Sequence, residues 1–103
     1  MTARTRVAFV GGVRKVEREI VALGDKLGVD VEVHDGHTKG QGIERLAAVV
    51  HRTDLVVIVT GTNSHNAVHV AKREAAKSGA RVVILKSCGA GTARALLTQC
   101  AWP

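Results

Sequence analysis

The stretch from residue 54 to residue 79 reads "DLVVIVTGTNSHNAVHVAKREAAKSG" and decides the fold. It begins with a continuous apolar run, rich in β-branched residues, at Leu55–Val59. A run of this kind is typical of a parallel-sheet strand that is covered on both faces. Three alanines then recur every fourth residue, at Ala67, Ala71 and Ala75, and the pattern stops at a glycine. This spacing predicts a helix, so the stretch is a strand followed by a helix.

The same alternation runs through the whole chain. Apolar segments predict three further strands at Arg6–Val10, Val29–His34 and Arg81–Leu85, and a helical pattern follows each of them. Strand-helix alternation indicates a parallel sheet with right-handed crossovers. We therefore predict one flavodoxin-like α/β domain over residues 1–103, with a four-stranded parallel sheet in the order 2-1-3-4 and helices on both faces.

The charge of the chain favours anionic partners. Its formal net charge is +6 with histidines neutral, which suits a phosphate-type anion, haem propionates or nucleic acid. The lysines and arginines are scattered, and Phe9 and Trp102 are the only aromatic residues that could stack on bases. We expect any nucleic-acid binding to be weak. No apolar run approaches the ~20 residues that span a bilayer and the start lacks a signal-peptide pattern, so we expect a cytoplasmic protein without membrane contact.

The predicted strand order places a ligand crevice between strands 1 and 3, where the winding of the chain reverses. The loops that form it are Gly11–Lys15 and Gly61–His65. Paired glycines at Gly11 and Gly12 let the backbone approach a ligand closely. Asn63 or Ser64 can cap the helix that follows. We predict that these glycines, Asn63 and Ser64 contact the ligand.

Histidines supply the candidate metal ligands. His65, His69 and Lys72 are spaced three and four residues apart, so they share one stripe of the third helix. We expect this stripe to border the core, next to a helix N-terminus that attracts anions. His34 ends strand 2 at the same edge of the sheet. His65, His34 and His69 are therefore candidate ligands for a divalent metal ion or haem iron, and Lys72 for negative charge.

Cys88 follows strand 4 and lies close to Lys86. This setting can lower the pKa of a thiol or offer a thiolate to haem iron, and the alternative is a small inert side chain. No paired carboxylates and no Ser-His-Asp triad can be placed at the crevice. Acidic residues, which a receiver domain needs after strand 1, are missing there. We expect no enzymatic activity.

Four segments of the chain resemble a bacterial family, the domain of unknown function 2325: "VAFVGG", "HDG", "TNSHNAVHVAKREAAKSG" and "VVILKSCGAGT". The family carries a Ser-His pair after strand 3, here Ser64 and His65, and usually a serine pair after strand 4, where this chain has Ser87 and Cys88. The resemblance implies haem binding through histidine, since some cyanobacterial relatives are associated with haem and with regulation of respiratory metabolism. It makes His65 the first candidate haem ligand.

Three functions are compatible with the sequence. The first is a regulatory module that binds haem, a metal ion or another small anionic ligand. The second is a nucleic-acid-binding protein. The third is a protein-interaction module, because strand 4 is an apolar edge strand in the predicted order. That edge predicts either a homodimer across strand 4 or a cover formed by the last helix with Trp102.

Overall fold

The computed structural model describes residues 4–61 and 63–101. Each predicted strand is present, and the second begins one residue later than predicted. A 3-10 turn at Arg14–Val16 precedes the first helix. The strands are β1 (Arg6–Val10), β2 (Asp30–His34), β3 (Leu55–Val59) and β4 (Arg81–Leu85), and the helices are α1 (Glu17–Leu27), α2 (Gly42–His51), α3 (His65–Ser78) and α4 (Ala90–Ala101).

The four strands form one parallel sheet in the order β2-β1-β3-β4, which confirms the predicted topology. Phe9 of β1 lies opposite Val33 of β2 and Val57 of β3. Every residue of β3 is buried, because a central strand is covered on both faces. β2 and β4 are the edges of the sheet.

Two cores form on the two faces of the sheet, because successive strand residues point to opposite sides. Phe9 and Val57 pack with α1 and α4, in a cluster that includes Ile20 and Leu97. Val56 and other residues of the opposite face pack with α2 and α3. No helix in the described part of the chain combines the length and hydropathy needed to span a bilayer.

The ends of the helices follow the sequence signals. Gly28 and Gly79 end α1 and α3 in the left-handed region, at φ 74° and 81°, where a residue without Cβ is favoured. Ser64 Oγ accepts a hydrogen bond from the backbone N–H of Ala67 at 3.0 Å. The prediction that Ser64 or Asn63 caps the third helix is confirmed, and Ser64 is the cap.

The two edges of the sheet differ in polarity. On β2, Asp30 and Glu32 form ion pairs with Arg4 and Arg52. Charged residues of this kind keep an edge strand from pairing with another chain.

β4 presents apolar side chains instead. Val82 is 38% exposed and Ile84 is 51% exposed, on the face of the sheet that α2 and α3 cover. Trp102, predicted to help cover this edge, lies outside the described residues. The homodimer across β4 stays a prediction.

Candidate functional site

The Asn63 side chain occupies the gap between the loops after β1 and β3. Its Nδ2 donates to the carbonyl of Val10 at 3.0 Å, and its Oδ1 accepts from the backbone N–H of Ser64 at 2.9 Å. A Cβ atom at Gly11 or at Gly36 would overlap the Asn63 side chain. On this side of the sheet, the predicted crevice between β1 and β3 is filled by the protein itself.

The Ser64 side chain also joins loops at the carboxyl edge of the sheet. Besides capping α3, its hydroxyl donates a hydrogen bond to the carbonyl of Gly36, 3.0 Å away in the loop after β2. Ser64 and Asn63, both predicted to contact a ligand, therefore bind three loops of the protein to one another. In this structure their polar side-chain atoms bond to the protein.

His34 is buried, and both of its ring nitrogens are bonded to the backbone. Nδ1 accepts from the N–H of Gly36 at 3.0 Å. Nδ1 must then be unprotonated, so Nε2 carries the proton and donates to the carbonyl of Gly42 at 3.3 Å. Ligation of a metal by His34, as predicted, requires one of these two bonds to break.

The stripe formed by His65, His69 and Lys72 faces solvent, and the expectation that it borders the core is wrong. All three side chains are exposed. The reason is the rotation of α3, whose inner face is set by its apolar residues and by one glutamate. The buried residues of α3 are Ala67, Val70, Ala71, Glu74 and Ala75.

An open cleft lies between the loops after β1 and β2. We call it the β1–β2 cleft and divide it into two connected parts. The inner cavity has a volume of about 730 Å³, and its lining includes Gly12, Val13, Val16 and Cys88. The outer groove has a volume of about 1270 Å³ and runs along α2. Both parts share Arg14, Lys15, Glu17, Val33, His34, Asp35 and His37.

The loop after β1 has a run of unpaired backbone donors at residues that line the inner cavity. Gly11 and Gly12 adopt φ of 76° and 70°, and Val13 follows at φ −121° and ψ 12°. The N–H of Gly11 donates to the carbonyl of His34 at 2.7 Å. The N–H groups of Gly12, Val13 and Arg14 have no acceptor among residues 4–61 and 63–101. Consecutive free N–H groups after a left-handed residue form a concavity that binds anions.

Five basic side chains surround the cleft and are exposed. In the described part of the chain, none of the five has a carboxylate within 4.0 Å; they are Arg14, Lys15, Arg18, Lys39 and Arg45. Arg52 differs, because Glu32 binds its guanidinium through two oxygens. The cleft is therefore a region of positive potential with free donors.

Along the sequence, these cations are scattered and form no block of like charge. They lie in segments far apart in sequence, yet all belong to the loops and helices that follow strands 1 and 2. Because β1 and β2 are neighbours in the sheet, their carboxyl ends bring those segments together. The predicted strand order thus contains the signal, which appears when the charges are grouped by the strand that precedes them.

Cys88 is buried in the wall of the inner cavity, and its Sγ donates to the carbonyl of Gly89 at 3.6 Å. Burial raises the pKa of this thiol, which is the opposite of the lowered pKa expected from the neighbouring Lys86. Lys86 is exposed and does not line the inner cavity. Cys88 therefore contributes a protonated, weakly polar surface.

The residues predicted to bind metal do not converge. Among residues 4–61 and 63–101, no group of three histidine, cysteine or acidic side chains is placed to hold a metal ion. His65 lines neither part of the cleft, whereas His37 lines both. The ring of His37 has no hydrogen-bond partner among the described residues, so it is the histidine available to a ligand there. Haem and metal binding stay predictions.

Comparisons with known proteins support the architecture. A family model described as "Uncharacterized protein conserved in bacteria (DUF2325)" matches residues 6–100. Among solved structures, the chain is similar to a de novo designed Rossmann fold protein, with a TM-score of 0.64 and 18% identity, over 97% of this chain and 99% of that one. At this identity the likeness shows the fold alone. No curated protein matches the chain.

Proposed function

This chain belongs to the bacterial DUF2325 family, and we propose that it is a non-catalytic regulatory module that binds a small anionic ligand in the β1–β2 cleft. The observation that supports this most is the run of free N–H groups at Gly12, Val13 and Arg14. All three residues line the inner cavity, and Lys15 lines it as well. A phosphate-type oxyanion can accept from several backbone donors at once, with the two cations offsetting its charge.

The remaining lining suits an uncharged part of the same ligand. Val13 and Val16 come from the segment after β1, and Val33 comes from β2. The protonated thiol of Cys88 adds weakly polar surface without offering a nucleophile at neutral pH. Apolar walls with a few placed polar groups are the usual composition of a small-molecule pocket.

Haem is one member of this ligand class, since its propionates are anions. If haem binds in the cleft, His37 would hold the iron, because it lines both parts and its ring is free of protein hydrogen bonds. His65 is placed at the start of α3 and outside the cleft lining, so it fits this position less well. In that case the haem would supply the iron. The protein would supply His37 as a ligand of that iron and the cations that pair with the propionates.

Amide chemical shifts provide the direct test. We expect inorganic phosphate and adenosine 5′-monophosphate to shift the ¹⁵N–¹H signals of Gly12, Val13 and Arg14 with saturation. The Lys15→Glu variant should weaken binding by about tenfold or more, because it replaces a charge-assisted contact with repulsion. Lys72→Glu is the matched control, since Lys72 is an exposed lysine on α3 and lies outside the cleft lining. Saturable shifts confined to the first turn of α3, with Lys15→Glu unchanged, would overturn the proposal.

A second candidate function is self-association through β4. The exposed pair Val82 and Ile84 supports it, together with the unpaired backbone of the edge. An antiparallel pair of β4 strands centred on Val83 would place Val82 of one copy opposite Ile84 of the other. This register is self-complementary, because both residues lie on the same face of the strand.

A further inference from the structure

The β1–β2 cleft has two basic ends rather than one. The inner end consists of the free N–H groups after β1, beside Arg14 and Lys15, which line the outer groove as well. The outer end lies in the groove along α2 and contains three cations that have no carboxylate partner among the described residues and do not line the inner cavity: Arg18, Lys39 and Arg45. A ligand with a single anionic group can use only one of these ends.

Acidic residues lie between the two ends. Glu17 and Asp35 line both the inner cavity and the outer groove, so they border the region where the two parts join. Arg14 and Lys15 line both parts as well, so the two carboxylates offset positive charge in this shared region. The shared lining therefore holds two cations and two carboxylates, whereas each end has groups of its own that favour an anion: the free N–H groups in the inner cavity, and Arg18, Lys39 and Arg45 in the outer groove.

The outer end has cations that can pair with a ligand. Arg52 also lines the groove, but the carboxylate of Glu32 binds it at 2.6–2.9 Å and offsets its charge. Arg18, Lys39 and Arg45 have no carboxylate within 4.0 Å in residues 4–61 and 63–101. Among the acidic residues, Glu19 lines the outer groove but not the inner cavity. Three unpaired cations against one carboxylate leave this end positive.

We infer that the ligand of this cleft carries two anionic groups separated by an uncharged body. This inference rests on the proposed function, since the inner end is the same anion site. One group bonds to the N–H groups of Gly12, Val13 and Arg14, and the other pairs with Lys39 and Arg45. The uncharged body lies against Val33, which lines both parts, and beside the two carboxylates at the junction.

The size of the cleft agrees with such a ligand. The outer groove alone, at about 1270 Å³, exceeds the range of roughly 300–1,000 Å³ that is common for small-molecule pockets. A lone phosphate leaves most of this volume to water. Bisphosphorylated sugars and nucleosides have the required chemistry, with two phosphoryl groups on a neutral ring.

Matched pairs of probes test the inference by titration calorimetry at fixed salt. The first pair is adenosine 5′-monophosphate and adenosine 3′,5′-bisphosphate, and the second is fructose 6-phosphate and fructose 1,6-bisphosphate. In at least one pair we expect the bisphosphate to bind about tenfold tighter or more, since each charge-assisted contact contributes energy of that order. The pair that shows the larger ratio identifies the preferred body.

Variants assign the second group to its end of the cleft. Arg45→Glu should reduce the affinity for the bisphosphate to that for the monophosphate, and leave monophosphate binding within about twofold because the ends contribute independently. Lys15→Glu should lower the affinity for both probes, and Lys72→Glu should lower the affinity for neither. Circular dichroism spectra and thermal midpoints check that each variant folds.

Two negative outcomes are distinguishable. Equal affinity for both members of each pair, with saturable shifts at Gly12, would overturn the two-anion inference and leave the proposed function standing. If Arg45→Glu reduces the affinity for the monophosphate and for the bisphosphate to the same extent, the inference is also overturned, since the outer end would then not act separately. If neither probe of either pair binds, the proposed function and this inference fail together.

Discussion

The side-chain amide of Asn63 donates a hydrogen bond to the backbone carbonyl of Val10 across 3.0 Å, although 53 residues separate them in sequence. The contact joins the loop after β3 to the end of β1. Gly11 and Gly36 are both positions where a Cβ would overlap the Asn63 side chain, so two other loops are shaped around it. The carboxyl edge of the sheet is held together at this residue.

We expect Asn63→Ala to lower the free energy of unfolding by about 1–3 kcal/mol, because it removes the bond to Val10 and leaves a cavity between loops. Urea unfolding followed by circular dichroism measures the change. Asn66→Ala is the control: Asn66 is exposed on α3, and its substitution should change stability by less than about 0.5 kcal/mol. Equal stability of both variants would show that Asn63 does not hold the loops.

Acid unfolding should report on Glu74, a residue of α3 whose side chain contacts His51 of α2 and which is 8% exposed. Its carboxylate contacts His51 at 2.9 Å, Arg73 at 3.1 Å and Lys77 at 3.3 Å. The hydrogen bond with His51, followed by that with Arg73, lowers the pKa of Glu74 from 4.5 to about 2, while burial opposes the shift. A pKa that is lower in the folded state stabilises the protein at pH values above the unfolded-state pKa.

This contribution is complete above pH 4.5 and is lost as the pH falls towards 2. We therefore expect the free energy of unfolding of Glu74→Gln to depend less on pH than that of the wild type across this window. Urea titrations at a series of pH values measure both slopes. Glu44→Gln is the control, because Glu44 is an exposed glutamate on α2, and its slope should match the wild type. A wild-type slope in Glu74→Gln would contradict the assignment.

Self-association through β4 predicts a concentration-dependent molar mass in light scattering coupled to size exclusion. Ile84→Lys should shift the protein to the monomer, since it places a charge in the apolar centre of the proposed pair. Ile43→Lys provides the matched control, because Ile43 is another exposed isoleucine, on α2. A wild-type protein that stays monomeric at high concentration would remove the β4 dimer.

Haemin titration decides which histidine is available to haem iron. From the geometry of the cleft we expect the Soret shift that reports histidine ligation to be lost in His37→Ala and kept in His65→Ala. The family resemblance predicts the reverse order. Far-ultraviolet circular dichroism shows whether each variant folds. Absence of a Soret shift in the wild-type protein would exclude haem and leave the smaller anions.

Binding of a fluorescent single-stranded oligonucleotide should be weak and should fall steeply between ~50 and ~200 mM salt, as expected for purely electrostatic contacts. The physical reason is the near absence of stacking aromatics, since Phe9 is fully buried in the sheet. Fluorescence anisotropy at several salt concentrations measures the slope. Submicromolar affinity that persists at ~200 mM salt would favour the nucleic-acid hypothesis over a small anionic ligand.

Local sequence patterns were sufficient to predict the strands, the parallel order and the Ser64 cap. Each of these patterns extends over a few residues. An apolar run such as Leu55–Val59 is buried because exposing it to water is unfavourable. A serine just before a helix accepts a hydrogen bond from a free N–H of the first turn. The family could be recognised for the same reason, because its motifs are contiguous.

The position of the cleft depended on contacts between distant segments. The sequence suggested a crevice between β1 and β3. Asn63 fills one side of it, because the glycines at positions 11 and 36 leave room for its side chain, and a smaller cavity of about 370 Å³ lined by Gly12, Val59 and Gly61 lies at the same strand ends. The rotation of α3 about its axis sends His65 and His69 to solvent, although their spacing is that of a metal site.

The sequence by itself therefore determined the fold class, the strand order and the surplus of positive charge. Only the tertiary structure decided where that charge collects. Arg14 and Arg45 are 31 positions apart in the chain, yet both line the outer groove, because the parallel pairing of β1 with β2 aligns the segments that follow them. The electrostatic potential at a site depends on how far each charge lies from it in space, and the pairing of the strands sets those distances.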